Sequence, residues 1–99
     1  MIEIDILNYA NIVDKLQRLN YEVIAREKMF KYIANHNFEH FEERYNIFME
    51  DYTIKLYDYE VYKAQVFRQI LPDIYKDKII NRWAIIYDDY KLQLWINEE

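Results

Sequence analysis

The chain contains no cysteine, no glycine and no serine, and it has only one proline, Pro72, and one threonine, Thr53. Without cysteine it cannot form a disulfide framework, a redox-active thiol pair or a thiolate zinc site. Phosphate-binding loops of the P-loop and dinucleotide types need glycines, because their backbone N–H groups approach the phosphate closely. The lack of glycine therefore excludes both of these nucleotide-binding loops.

What is present predicts one small domain: 99 residues, 53% of them hydrophobic, with a net charge of −5. The first five residues are acidic rather than basic, and no apolar run approaches the roughly 18 residues that span a bilayer. We therefore expect a cytoplasmic protein of a bacterial or archaeal host. Ile, Asn, Lys, Tyr, Phe and Met have AT-rich codons and make up 50 of the 99 residues. This bias favours a low-GC bacterium, a phage or an archaeal virus as the source.

A first helix is predicted over about residues 8–34, where apolar residues recur at steps of three and four. Arg26 interrupts this stripe. The apolar members of the stripe are Tyr9, Ile12, Leu16, Leu19, Val23, Phe30 and Ile33. The other faces carry mainly polar side chains, so the pattern predicts an amphipathic helix with a single apolar stripe.

A second helix is predicted from about residue 38 to residue 71, with Asn37 as its N-cap and Pro72 after its end. Its main stripe should pack against the first helix and consists of Phe38, Phe41, Tyr45, Phe48, Tyr52, Lys55, Tyr59, Tyr62, Val66 and Gln69. A second apolar stripe on the opposite side consists of Ile47, Ile54, Tyr57, Val61, Ala64 and Leu71. One partner helix cannot cover both sides. We expect the C-terminal segment, a second copy or another protein to cover the second stripe.

The C-terminal segment changes to alternating periodicity, which predicts a β-hairpin over about residues 82–97. The apolar side chains align when Tyr87 lies opposite Leu92, Ile85 opposite Leu94, and Trp83 opposite Ile96. Apolar and acidic residues also alternate over residues 2–6. Both a third strand and an extension of the first helix fit that segment.

These elements predict a mainly α (α+β) fold in a single domain over residues 1–99. Two long antiparallel helices are followed by a C-terminal β-hairpin, which a short N-terminal strand joins in one of the two interpretations. We expect two chains to pair through the second helix as a homodimer, because a four-helix layer would cover the second stripe.

No motif supplies a nucleophile, an activating base and an oxyanion donor together, so we expect no enzyme activity, no catalytic residues and no cofactor or metal. We expect a small acidic protein-interaction module: an adaptor, an accessory subunit or an inhibitor of a larger, basic protein. Its acidic balance argues against binding to a membrane surface. The expected partner-binding residues are Ile54, Tyr57, Val61, Ala64, Ile86 and Trp95.

Two alternatives use other residues. A basic face on the first helix would bind nucleic acid and consists of Lys15, Arg18, Arg26, Lys28 and Lys31. A metal-dependent enzyme would use His36 and His40, which are four residues apart. With Glu43 they would share one face of a continuous helix at metal-ligand spacing.

Overall fold

The structure is a computed structural model that describes residues 1–34 and 41–97. Its elements are β1 (Ile2–Asp5), α1 (Ala10–Ala34), α2 (Phe41–Ile70), β2 (Ile80–Ile86) and β3 (Lys91–Ile96). A 3₁₀ turn over Leu7–Tyr9 precedes α1, and another over Asp73–Tyr75 follows α2. The predicted mainly α (α+β) fold with two long helices and a C-terminal β-hairpin is confirmed. The predicted cap at Asn37 lies outside the described residues.

The chain divides into two compact units. The first unit consists of Met1–Asp14 and Ala64–Glu99, and it contains the three strands with one end of each helix. The second unit consists of Lys15–Lys63 and contains the remainder of α1 and α2. Each unit has its own set of contacts, so the two are described in turn.

The first unit is built on an antiparallel sheet with the strand order β1, β3, β2. Residues 2–5 therefore form a strand, which decides between the two interpretations of the N-terminal segment. On the central strand, Leu94 pairs with Ile2 on one side and Trp83 on the other. Leu92 and Leu94 are almost completely buried. Because β3 is the central strand and one of its faces is buried, apolar residues alternate along it.

The register of the hairpin differs from the predicted one by two residues. Leu92 lies opposite Ile85 rather than Tyr87, and Leu94 lies opposite Trp83. The turn contains four residues, Tyr87–Tyr90, and Tyr90 adopts a φ of 48°. Because side chains alternate with a period of two, a shift of two keeps each side chain on its predicted face. The apolar pattern alone therefore could not separate these two registers.

The helix ends in the first unit pack with the sheet residues into a core. The Phe67 ring meets the Trp83 ring edge-on, with centroids 6.1 Å apart. Leu71, the last residue of the predicted second stripe, is buried here. The buried apolar residues of this unit are Ile6, Val13, Val66, Phe67, Ile70, Leu71, Leu92 and Leu94.

The second unit is an antiparallel pair of helices. Arg26 Nε donates a hydrogen bond to Asp51 Oδ2 at 2.6 Å, and Lys55 Nζ lies 3.4 Å from Glu22 Oε2. The aromatic contacts confirm that the main stripe of α2 meets α1. The Phe30 ring lies 5.8 Å from the Tyr45 ring and 6.3 Å from the Phe48 ring. Leu16, Val23 and Tyr59 are the buried apolar residues of this unit.

Asp5 links β1 to the turn that follows it, and its pKa provides a test of this junction. The Leu7 N–H donates to Asp5 Oδ1 at 3.0 Å, and Lys91 Nζ lies 3.6 Å from Oδ2. The backbone hydrogen bond first, and then the Lys91 charge, lower the pKa of Asp5 below its ordinary value of 3.8. The stabilisation from the ionised carboxylate is present above pH 3.8 and is lost as pH falls through the lowered folded pKa.

We expect the carboxyl carbon of Asp5 to titrate below 3.8 in a pH series followed by NMR. In a Lys91→Met variant the midpoint should rise only part of the way, because the Leu7 N–H remains the larger cause. A wild-type midpoint at or above the ordinary value would show that this carboxylate does not hold the turn.

Candidate interaction surface

Four apolar residues form an exposed line along α2 in the second unit, and we call them the outer α2 stripe: Ile47, Ile54, Tyr57 and Val61. Their exposed fractions lie between 38% and 69%. Ile54 lies two residues from Tyr52, and Tyr57 lies two residues from Tyr59, which is a rotation of about 200° around the helix. The stripe therefore points away from the main stripe that meets α1. Single exposed apolar residues are ordinary, but four in line are typical of a contact surface.

Carboxylates flank the outer α2 stripe. Glu43, Glu50 and Asp58 are exposed, and none of them forms an ion pair among the described residues. They lie on the same side of the helix as the stripe, at the spacing of one helical turn or a multiple of it. The surface therefore combines apolar groups with three unpaired negative charges.

The structure corrects the prediction that α1 has a single apolar stripe. Tyr21, Ile24 and Tyr32 are 37% to 59% exposed and lie on one side of α1, and we call them the outer α1 stripe. Tyr21 lies two residues from the buried Val23, so the stripe faces away from α2. The signal was present in the sequence, because these side chains recur at steps of three and eight residues, which are about one and two helical turns. The polar residues that lie between these side chains in the sequence interrupt the apolar pattern.

The cations of the predicted nucleic-acid face separate into two groups. Arg26 bonds to Asp51, and Lys15 Nζ lies 4.7 Å from the centroid of the Tyr62 ring, so both are engaged with α2. The other three cations, Arg18, Lys28 and Lys31, are exposed and form no ion pair among the described residues. Arg18 and Lys28 lie beside the outer α1 stripe, whereas Lys31 lines a cavity between the helices. The free part of the basic face is therefore smaller than the sequence indicated.

A small cavity of about 190 Å³ lies between the helices of the second unit, lined by Glu27, Phe30, Lys31, Met49 and Tyr52. The Tyr52 hydroxyl donates a hydrogen bond to Glu27 Oε1 at 3.2 Å. Partial desolvation raises the pKa of Tyr52, and the Glu27 carboxylate raises it further. A phenol with a raised pKa stays protonated at neutral pH, so it is not poised to act as a nucleophile.

The other predicted partner-binding residues lie in the first unit. Ile86 and Trp95 share the second face of the sheet, because Ile86 pairs with Lys91 and Trp95 pairs with Arg82. The Arg82 guanidinium lies over the Trp95 ring, 4.3 Å from its centroid, so this ring already has a partner. Ile86 remains 37% exposed. The structure thus gathers Ile54, Tyr57 and Val61 on one helix face and places Ile86 on β2 and Trp95 on β3.

Ala64 is exposed and lines a groove of about 480 Å³ in the first unit. Its other lining residues are apolar or basic: Phe67, Arg68, Leu71, Lys76, Lys78 and Ile80. Lys76 pairs with Asp73 at 3.0 Å. Sequence reasoning missed this groove, because its cations come from α2 and from the segment after it.

The alternative of a metal-dependent enzyme uses His36 and His40, which are within residues 35–40 and so lie outside the described residues. Among the residues it does describe, no three His, Asp or Glu side chains are grouped so that they could hold a metal ion. Within the same ranges, no helix is both long and apolar enough to cross a bilayer. Comparisons with protein-family models, curated proteins and solved structures found no match to this chain.

Proposed function

We propose that this chain is a non-catalytic protein-interaction module that acts as a homodimer and uses the outer α2 stripe as its contact surface. The observation that carries this proposal is the exposure of Ile47, Ile54, Tyr57 and Val61 on the side of α2 that faces away from α1. Burying such a line of side chains removes apolar area from water, at roughly 25 cal/mol for each Å². Tyr57, the most exposed of the four, is of a residue type enriched at interface hot spots.

The carboxylates beside the stripe indicate the chemistry of the surface that binds it. Glu43, Glu50 and Asp58 would repel an acidic surface and attract a basic one, and complementary charge speeds the encounter of two proteins. The module therefore fits an apolar surface with a basic rim. A larger protein with such a surface would bind the same face, in the manner of an adaptor, an accessory subunit or an inhibitor.

Sedimentation velocity tests the proposal, with the protein measured from low micromolar to near-millimolar concentration. We expect the wild-type chain to self-associate, and Ile54→Asp to weaken the association by about tenfold or more, because it buries an unpaired charge in the contact. Ile74→Asp is the matched control. It adds the same charge at an isoleucine that is 68% exposed and lies outside the stripe.

The two variants should unfold at similar temperatures, since both replace exposed side chains. A wild-type chain that sediments as a monomer at every concentration would contradict the homodimer. Equal association of the wild type and the Ile54→Asp variant would show that the stripe is not the contact surface.

A further inference from the structure

The second unit has two exposed apolar stripes, and they lie on opposite sides of one pair of helices. Tyr21, Ile24 and Tyr32 face away from α2, while Ile47, Ile54, Tyr57 and Val61 face away from α1. The helices of one chain cannot bring these two stripes together, because each points away from the contact between them.

The two stripes carry opposite charge. The exposed charged residues on the outer α1 side are the cations Arg18 and Lys28, while Glu27 and Lys31 line the cavity between the helices. The exposed carboxylates beside the outer α2 stripe are Glu43, Glu50 and Asp58, and the nearby cation Arg44 is already engaged in another contact. Arg18, Lys28 and the three carboxylates have no ion-pair partner among the described residues. Each face thus presents the charge that the other lacks.

The ion pairs within the chain define which residues of the two helices are level. Glu22 is level with Lys55, and Arg26 is level with Asp51. Ile24 is therefore level with residue 53, one position from Ile54. By the same count, Tyr21 is one position from the level of Tyr57, and Lys28 is one position from that of Glu50. One position is about 1.5 Å along a helix.

We infer that the outer α2 stripe of one copy binds the outer α1 stripe of a second copy of this chain. Side by side in the same orientation, the two copies place Ile24 against the partner's Ile54 and Lys28 against the partner's Glu50. Two outer α2 stripes packed antiparallel about Ile54 would instead place Glu50 against the partner's Asp58, and like charges so opposed disfavour that dimer. This inference rests on the proposed function only for the outer α2 stripe as the contact surface, and it names the surface to which that stripe binds. It differs from the proposed homodimer in stoichiometry, because the two faces in contact are not the same.

Such a contact is heterologous, because it joins two different faces. A dimer formed in this way leaves one outer stripe of each kind uncovered. Further copies add to it until a ring closes, and the average mass rises with concentration beyond that of a dimer. A contact between two identical faces would stop at two chains.

Mixing two variants tests the inference directly. Ile24→Asp disables only the outer α1 stripe, and Ile54→Asp disables only the outer α2 stripe. We expect each variant alone to associate about tenfold more weakly than the wild type. An equimolar mixture should form a 1:1 dimer and nothing larger, because only one intact pair of faces remains. Sedimentation velocity measures the masses, and circular dichroism confirms that both variants are helical.

Charge reversal provides a second test that leaves every apolar side chain in place. Lys28→Glu and Glu50→Lys should each weaken association several-fold, and the double variant should recover it, since the reversed charges again attract. Reduced association at high salt is expected for the wild type. Restored association in the double variant supports the inference even if Ile24→Asp fails to fold.

The inference and the proposed function fail in different ways. If Ile24→Asp and Lys28→Glu associate like the wild type while Ile54→Asp does not, the outer α2 stripe binds something other than α1. The inference is then overturned and the proposed function stands. If the wild type is monomeric throughout, or if Ile54→Asp has no effect, the proposed function itself is overturned.

Discussion

Leu94→Ala should reduce the free energy of unfolding by about 3 kcal/mol, which lowers Tm by more than about 10 °C for a chain of this size. Leu94 is fully buried and lies on the central strand, where Ile2 and Trp83 flank it on both sides. Because paired strands lie on either side, the sheet cannot close around the missing atoms. The loss therefore includes the transfer of the side chain and the cavity that it leaves.

Urea unfolding followed by circular dichroism measures this effect, with Ile79→Ala as the control. Ile79 is 67% exposed, and its backbone carbonyl accepts a hydrogen bond from the Asn97 N–H at 2.9 Å. The control should change the free energy of unfolding by less than about 0.5 kcal/mol. Equal effects of the two substitutions would show that the sheet is not the core of the first unit.

The sequence predicted the elements well because their periodicities are strong. The aromatic main stripe of α2 defines the face that meets α1, and strict alternation around Leu92 and Leu94 defines the hairpin. The register was wrong because a shift of two residues preserves which face each side chain occupies. What sets it is the four-residue turn with Tyr90 at positive φ, where the Tyr87 and Tyr90 rings meet edge-on at 6.3 Å. No residue type in that turn predicts this geometry, because the chain lacks glycine, the residue that usually marks a positive φ in a hairpin turn.

The candidate surface was predicted on one helix and missed on the other. A helix that is apolar on two sides needs two partners, so the pattern predicts a second contact face at Ile54, Tyr57 and Val61, and all three are exposed. The sequence does not single out the outer α1 stripe, because Lys28 interrupts it and because Val23 and Phe30 define a clear core face on the other side of the helix. The same helix stripe includes Ala64, and the second face of the hairpin includes Trp95, but Ala64 lines a separate groove and the Trp95 ring lies beneath the Arg82 guanidinium. Spacing identifies apolar lines, whereas burial depends on contacts that are distant in sequence.

Truncation of two aromatic residues of α2 should separate folding from association. The first variant should lose stability, and the second should keep its stability but associate more weakly. Phe48 is half-buried, and its ring is stacked at 6.3 Å on both Phe30 and Tyr52. Phe48→Ala should therefore reduce the free energy of unfolding by about 2 to 3 kcal/mol. Tyr57 is 69% exposed, so Tyr57→Ala should change this free energy by less than about 0.5 kcal/mol.

Association, in contrast, should depend strongly on Tyr57. We expect Tyr57→Ala to lower the association constant about tenfold relative to the wild type. Unfolding is measured in the low micromolar range, where mass action contributes little to stability, and association is measured at higher concentration. Tyr57→Phe is the control, because it keeps the ring and should keep most of the association. If Tyr57→Ala destabilised the chain as much as Phe48→Ala, Tyr57 would belong to the core. The outer α2 stripe would then lose its most exposed member as a contact residue.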